Sequence, residues 1–387
     1  MDPAQLPSWD LPEGVISRYV DTSPVGLKFH ILESFPDAVS PSRLPPLALL
    51  LHGFPNLSHD WRFVMPKLAE AGYYAVALDM RGFGRTHNAD LSPISENSFR
   101  LMTALRDVVT LVHALGYETV HALVGHDIGA FVASLCAVVR GDMIKSLVLM
   151  SHPFKVSPQL PFGTAVSPLL VSAASKGAGP NKADPGIRSS LLKLDPPRKH
   201  YKYYNASPEA AEEWTNPTGE PMRRFLRGHF HLKSAAYSLN RPRPLASWTA
   251  EQLAVMPHYY VMRAELSMRG NVELDMSDEP AEIRDRLGET RWLTDADLQV
   301  YTDKFSRNTF GPPLLWYKVL VDTSLSADLL CFAGTKIGVP TKYVSGTSDW
   351  GTYQVPGSLD AMENGEGVNK EKPEESVKEI LALASSV

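Results

Sequence analysis

The chain has 387 residues, of which 44% are hydrophobic and 21% charged, with a formal net charge of −5. That is ample for a large core and suits one big domain with an insertion, or two modest domains. The mild acidic balance gives no electrostatic reason to expect nucleic acid or an anionic membrane as partner.

No uninterrupted apolar run is long enough to span a bilayer. Residues 1–14 carry acids and prolines without an apolar stretch, so no secretory signal is expected there. The final Ala-Ser-Ser-Val matches no targeting address. Cys136 and Cys331 are the only cysteines, and Cys136 lies in a helix-like run. A buried thiol at Cys136 rather than a disulfide is expected, which fits a reducing compartment and a cytoplasmic protein.

Residues 15–33 alternate apolar and polar, which predicts two short strands. Residues 44–51 end in a continuous apolar run, as in a strand buried on both faces. The run stops at the turn signal His52-Gly53-Phe54-Pro55. Residues 60–71 have helical spacing, and 74–78 form a second buried strand closed by Asp79-Met80-Arg81-Gly82-Phe83-Gly84. Asn97 or Ser98 is placed to cap a helix running to about Leu115. Strands at 120–124 and 146–150 flank a helix at 130–139. This rhythm predicts an α/β fold with a mostly parallel, doubly wound sheet.

The rhythm breaks at Pro153. Residues 153–313 hold prolines, aromatics and short helical stretches with no clear buried strand. It returns with a strand at 339–344, and residues 373–384 form an amphipathic last helix with Pro373 in its first turn. The expected organisation is a sheet core over 1–152, an inserted helical lid or cap over 153–315, and the rest of the core over 316–387.

Between the strand ending at Val124 and the next helix lies Gly125-His126-Asp127-Ile128-Gly129. A nucleophile on such a turn is lifted above the sheet edge, and small flanking residues let the backbone pass. A carboxylate needs no deprotonation and can attack carbon directly, giving an alkyl ester from an epoxide or a halide. The competing reading of Asp127 is a plain helix N-cap.

The order His-Gly-Phe-Pro, Asp-Met-Arg-Gly-Phe-Gly-Arg, then an aspartate elbow resembles the epoxide hydrolase and haloalkane dehalogenase branch of the α/β-hydrolases, and the epoxide hydrolases most closely. The likeness runs over nearly the whole chain. It implies the α/β-hydrolase fold with a helical lid, no cofactor, and a small hydrophobic epoxide as substrate. Backbone N–H groups of Phe54 and Ile128 would face the substrate. Two lid tyrosines would hold and protonate the epoxide oxygen. One is Tyr317, in Pro313-Leu314-Leu315-Trp316-Tyr317; the other is Tyr201, with Tyr204 close behind, in Tyr201-Lys202-Tyr203-Tyr204. Paired phenols suit a forming alkoxide because they share its charge. Ile128 stands where dehalogenases commonly carry a tryptophan, which argues against the halide reading.

The family's second half-reaction uses a histidine oriented by an acid. The acid matches Asp349, after the strand at 339–344; a plain turn aspartate is the alternative. The histidine, which the family places just before the final helix, has no counterpart. The sequence holds no histidine beyond His258, and residues 360–373 join a surface turn directly to the lead of the last helix. A local deletion, a pseudoenzyme that binds a hydrophobic ligand, and a base-independent enzyme such as a cyclase or lyase all fit. His152, at the end of the strand at 146–150, is a stand-in candidate, although contact with the lid is the favoured reading of a strand-end histidine. His126 precedes the nucleophile and carries no base role. His229 and His231 lack a carboxylate at metal-ligand spacing, so no metal is expected. A homo-oligomer is compatible with all of this.

Overall fold

The first strand, β1 (Ile16–Thr22), alternates exposed and buried positions, as an edge strand with one covered face should. It pairs antiparallel with β2 (Leu27–Ser34), Ile16 facing Glu33 and Thr22 facing Leu27. The next two, β3 (Leu47–Leu51) and β4 (Tyr74–Leu78), are buried at every residue and lie parallel. A continuous apolar run can be buried in full only where both faces of the sheet are covered.

The computed structural model describes residues 5–37, 44–154, 185–290 and 292–363. They fall into two compact units. One lies within Met1–Asn181, Leu325–Val344 and Leu359–Val387, the other within Lys182–Ser324 and Ser345–Ser358.

The first unit carries an eight-stranded mixed sheet in the order β1-β2-β4-β3-β6-β7-β10, with the short β5 (His87–Asn88) paired to β2. Here β6 is Ala122–His126, β7 is Leu147–Met150 and β10 is Thr341–Val344. From β4 through β10 every neighbour is parallel. Three helices connect these strands: α1 (Met65–Glu70), α2 (Leu101–Ala114) and α3 (Ile128–Val139).

The helix expected over 60–71 divides into a 3-10 turn, Ser58–Trp61, and α1, which has a proline in its first turn. The helix expected from Asn97 or Ser98 begins at Leu101. Glu96–Ser98 forms its own 3-10 turn, and the chain is extended at Phe99 and Arg100. Phe99 buries its ring there, so packing overrides the local capping signal.

The second unit holds many helices and one strand pair that the sequence reading did not foresee. The strands β8 (Arg198–His200) and β9 (Val261–Arg263) pair antiparallel, His200 opposite Val261. Three-residue strands from distant parts of the chain leave no periodic trace. The expected last helix over 373–384, and the junction near Gly365, lie outside the described residues.

Loop placement around β3 and β4 depends on Asp79, which is fully buried. Its carboxylate accepts from His30 Nδ1 at 2.7 Å, Ser58 N at 2.9 Å and Arg85 N at 2.8 Å. Burial alone would raise its pKa. The electrostatic pull and hydrogen bond of His30, with the Ser58 amide, hold it well below the usual carboxylate range. Gly84 (φ +52) passes so close that a Cβ would fall 1.8 Å from the carboxylate carbon. Nearby, Arg81 clamps Asp107 of α2 through two bonds of 2.7 Å, tying the same loop to that helix.

Unfolded aspartate titrates near 4. The stabilisation from Asp79 is therefore complete above about pH 4 and is lost as pH falls toward its depressed folded value. Asp79→Asn should lose about 2–3 kcal/mol at neutral pH and flatten the acid limb of the stability curve. Chemical denaturation from pH 3 to 7 checks this, and a parallel acid limb in both proteins would refute it.

Candidate active site

Strand β6 ends at His126 and α3 begins at Ile128, so Asp127 alone makes the turn. Its backbone sits at φ 55 and ψ −119, a conformation that L-residues adopt only under constraint. Its carbonyl starts the helix, accepting from Ala130 N at 3.0 Å and Phe131 N at 3.3 Å. Its carboxylate makes no capping bond to that helix. A helix-capping aspartate would bond its own first turn.

The glycines explain how the chain tolerates this turn. A Cβ on Gly125 would lie 2.3 Å from the Gly129 carbonyl oxygen, and one on Gly129 would lie 2.4 Å from the Leu51 carbonyl oxygen. Strand and helix can close to this spacing only without side chains at both positions. Gly53 faces the carboxylate itself, and a Cβ there would lie 2.3 Å from Asp127 Cβ.

Within the first unit the carboxylate meets a backbone amide and an imidazole. Phe54 N donates to Oδ1 at 3.0 Å. His152 Nε2 lies 3.1 Å from Oδ2. His52, in the same turn as Phe54, has another task. Its Nδ1 lies 2.8 Å from Gly53 O, and its Nε2 accepts from Met80 N at 3.1 Å. Burial lowers its pKa, which keeps the ring neutral and able to bridge the two turns.

The second unit holds the tyrosines. Tyr201 starts the helix Tyr201–Asn205 and donates from its hydroxyl to Gln354 Oε1 at 2.9 Å. Tyr317 lies on the helix Gly311–Val321, and its ring meets that of Tyr201 edge-on at 5.7 Å. Tyr260 meets Tyr201 similarly at 5.0 Å. These edge contacts fix the ring directions of buried phenols. Tyr204 is held elsewhere. Its hydroxyl donates to Glu213 Oε2 at 2.5 Å and accepts from Met268 N at 3.2 Å. Burial and then Glu213 push its pKa far above the ordinary phenol value.

Asp349 caps a short 3-10 turn, accepting from Gly351 N at 2.7 Å, with Ser345 Oγ at 3.4 Å from its other oxygen. Its loop is tied within this unit by Asn240 Nδ2, which donates to Ser348 O at 2.7 Å. The second unit thus brings together Tyr201, Tyr317 and Gln354. The first brings together Phe54, Asp127 and His152, with Ile128 next in the chain. Sequence reading missed Gln354 altogether, since nothing local links it to Tyr201.

Comparison with known proteins bears on this geometry. The family model for the alpha/beta hydrolase fold matches residues 46–172, which include the strand β3, the elbow and β7. The chain is an α/β-hydrolase-fold protein.

This hydrolase-fold chain is similar over nearly its whole length to epoxide hydrolases. It is 27% identical to epoxide hydrolase B of Mycobacterium tuberculosis over 382 residues, 92% of this chain and 95% of that protein. It is 28% identical to epoxide hydrolase 3 of Siraitia grosvenorii, over 85% of this chain and 82% of that one. Among solved structures, an epoxide hydrolase from an endophytic Streptomyces matches with a TM-score of 0.64 at 24% identity, over 92% of this chain and 86% of that one. The sequence similarity supports a hydrolase.

Among the described residues no group of three or more His, Cys, Asp or Glu is placed to hold a metal ion, and no helix is long and apolar enough to cross a membrane. Cys136 is a buried free thiol whose pKa burial pushes up to about 12, and Cys331 is free and exposed.

Gly53→Ala should destabilise the protein by about 1–3 kcal/mol, because the new methyl overpacks against the Asp127 side chain. Thermal unfolding checks this. A midpoint equal to that of the parent chain would contradict the close approach.

Proposed function

We propose that this protein opens the epoxide of a small hydrophobic organic molecule through an alkyl ester on Asp127. The observation that carries the reading is the strained elbow that presents the Asp127 carboxylate away from its own helix and against the Phe54 N–H. The similarity to epoxide hydrolases supports it.

In the first step Asp127 Oδ2 attacks an epoxide carbon, and the C–O bond of the ring breaks. Tyr201 and Tyr317 bind the epoxide oxygen and protonate the alkoxide as it forms. The hydroxyl of Tyr201 is already buried and directed by Gln354 and its aromatic neighbours, so little is left to order on binding. Oδ1, facing the Phe54 amide, becomes the ester carbonyl oxygen. The amides of Phe54 and Ile128 then receive the negative charge that develops there during ester hydrolysis. By the epoxide hydrolase resemblance we assign residues 153–315 as the lid segment and Asp349 as the acid that follows β10.

A second reading has a specific observation behind it. The sequence holds no histidine beyond His258, so the usual base for the second step has no counterpart. On that reading the chain binds a hydrophobic ligand, or becomes alkylated and stays so.

Incubation with a reactive epoxide, followed by peptide mass spectrometry, tests the first step. The adduct should map to Asp127 and disappear in Asp127→Asn. Tyr201→Phe and Tyr317→Phe should each slow its formation, by about 100-fold or more. An adduct on any other residue, or none on a folded protein, would sink the reading.

A further inference from the structure

Two strained turns stand side by side at the ends of neighbouring strands. Strands β6 and β7 are parallel, with His126 opposite Met150. Beyond that pair, Asp127 takes φ 55, and its N–H donates to Met150 O at 3.2 Å. Ser151 takes φ 71. The His152 N–H reaches back to Met150 O at 2.9 Å, closing a three-residue turn around Ser151. Such a turn with a positive central φ is rare and strained, and serine gains nothing from it.

The turn is braced from the other side. Ser151 N donates to Val344 O at 3.2 Å, and the Tyr343 hydroxyl donates to Ser151 O at 3.0 Å. Strand β10 therefore holds both polar backbone atoms of the strained residue. The consequence is that His152 does not continue along the strand. Its imidazole Nε2 comes to 3.1 Å from Asp127 Oδ2, with about a fifth of the side chain exposed. A persistent strained turn that aims a titratable ring at a carboxylate is the pattern found where strain serves chemistry.

The oxygen it meets is the informative one. Oδ1 accepts from the Phe54 amide, and on the Asp127 reading Oδ2 is the oxygen that attacks an epoxide carbon. In the alkyl-enzyme Oδ2 is the ester oxygen, and in hydrolysis it is the oxygen that must leave. We infer that His152 is the acid–base catalyst of ester hydrolysis in this protein, replacing the histidine that the sequence lacks beyond His258. The inference rests on the Asp127 alkyl-ester reading.

The step balances with water alone. Water attacks Cγ of the Asp127 ester and gives one proton to neutral His152 Nε2. A Cγ–O bond forms, and the negative charge moves to the oxygen at the Phe54 amide. The intermediate then collapses, the Cγ–Oδ2 bond breaks, and imidazolium gives its proton to Oδ2 as the diol departs. The water oxygen stays in the Asp127 carboxyl. Tyr343 is a positioning residue, acting through the Ser151 turn.

Rapid mixing with styrene oxide, acid quench and peptide mass spectrometry follow the Asp127 adduct, while diol release is measured in parallel. In the parent chain the adduct should rise and fall. In His152→Gln it should form and persist, its decay slowed at least about 100-fold. In His152→Ala added imidazole should restore decay, which a structural role would not allow. Tyr343→Phe should slow decay less, leaving adduct formation near the parent rate. If a histidine variant fails to fold, Tyr343→Phe carries the test, and unchanged decay there overturns the inference. So does adduct decay at the parent rate in folded His152→Gln, or a parent adduct that never decays. Absence of any adduct and any diol in the parent chain would instead bring down the Asp127 reading, and this inference with it.

Discussion

Everything at the elbow follows from one constraint: a strand must turn into a helix across a single residue. Meeting it requires glycines at 125 and 129, where a Cβ would run into neighbouring backbone, and at 53, where it would run into the Asp127 side chain. It also forces Asp127 to positive φ, since the turn leaves no room for a relaxed one. The strain turns the carboxylate out of the helix axis and into the Phe54 N–H. A serine in such a turn would need a base before it could react. A carboxylate needs none, which is why the chemistry proposed for Asp127 is attack on an epoxide carbon.

The electrostatics of the first unit separate two carboxylates of different purpose. Asp79 is fully buried and saturated by donors from three segments, so it is locked as an anion and spends its charge on loop placement. Asp127 meets the Phe54 amide at Oδ1 and the His152 imidazole at Oδ2. In the proposed mechanism the first carboxylate serves structure and the second serves chemistry. Within the second unit the same logic separates two tyrosines. Tyr204 is closed off by Glu213 and the Met268 amide. Tyr201 donates to a neutral amide oxygen on Gln354, a weaker partner than a carboxylate and one from which a hydroxyl can more readily turn to a substrate oxygen.

Much of the sheet was legible in the sequence because its signals are local. The buried runs at Leu47–Leu51 and Tyr74–Leu78 need both faces covered, and their composition says so. The elbow is legible for the same reason, since five adjacent residues carry it. What was not legible is long-range or conformational. The β8–β9 pair joins distant three-residue segments with no periodic trace. Five residues cannot tell a capping aspartate from a displayed one; the backbone angles and the Phe54 bond do. The strand-end position of His152 made it a candidate from sequence, but Ser151 gives no warning of a positive φ, so the 3.1 Å approach of the ring to Asp127 emerges only with the turn. The link from Tyr201 to Gln354 spans most of the second half of the chain.

Attack of Asp127 on carbon is the central step proposed for this protein, and the fate of oxygen tests it most directly. A single turnover in water enriched in oxygen-18, with enzyme in excess over epoxide, should release diol without the label. The heavy oxygen should appear in the peptide that contains Asp127. Label in the first-turnover diol, with none in that peptide, would mean that water attacks the epoxide directly and that the aspartate at the elbow is not the nucleophile.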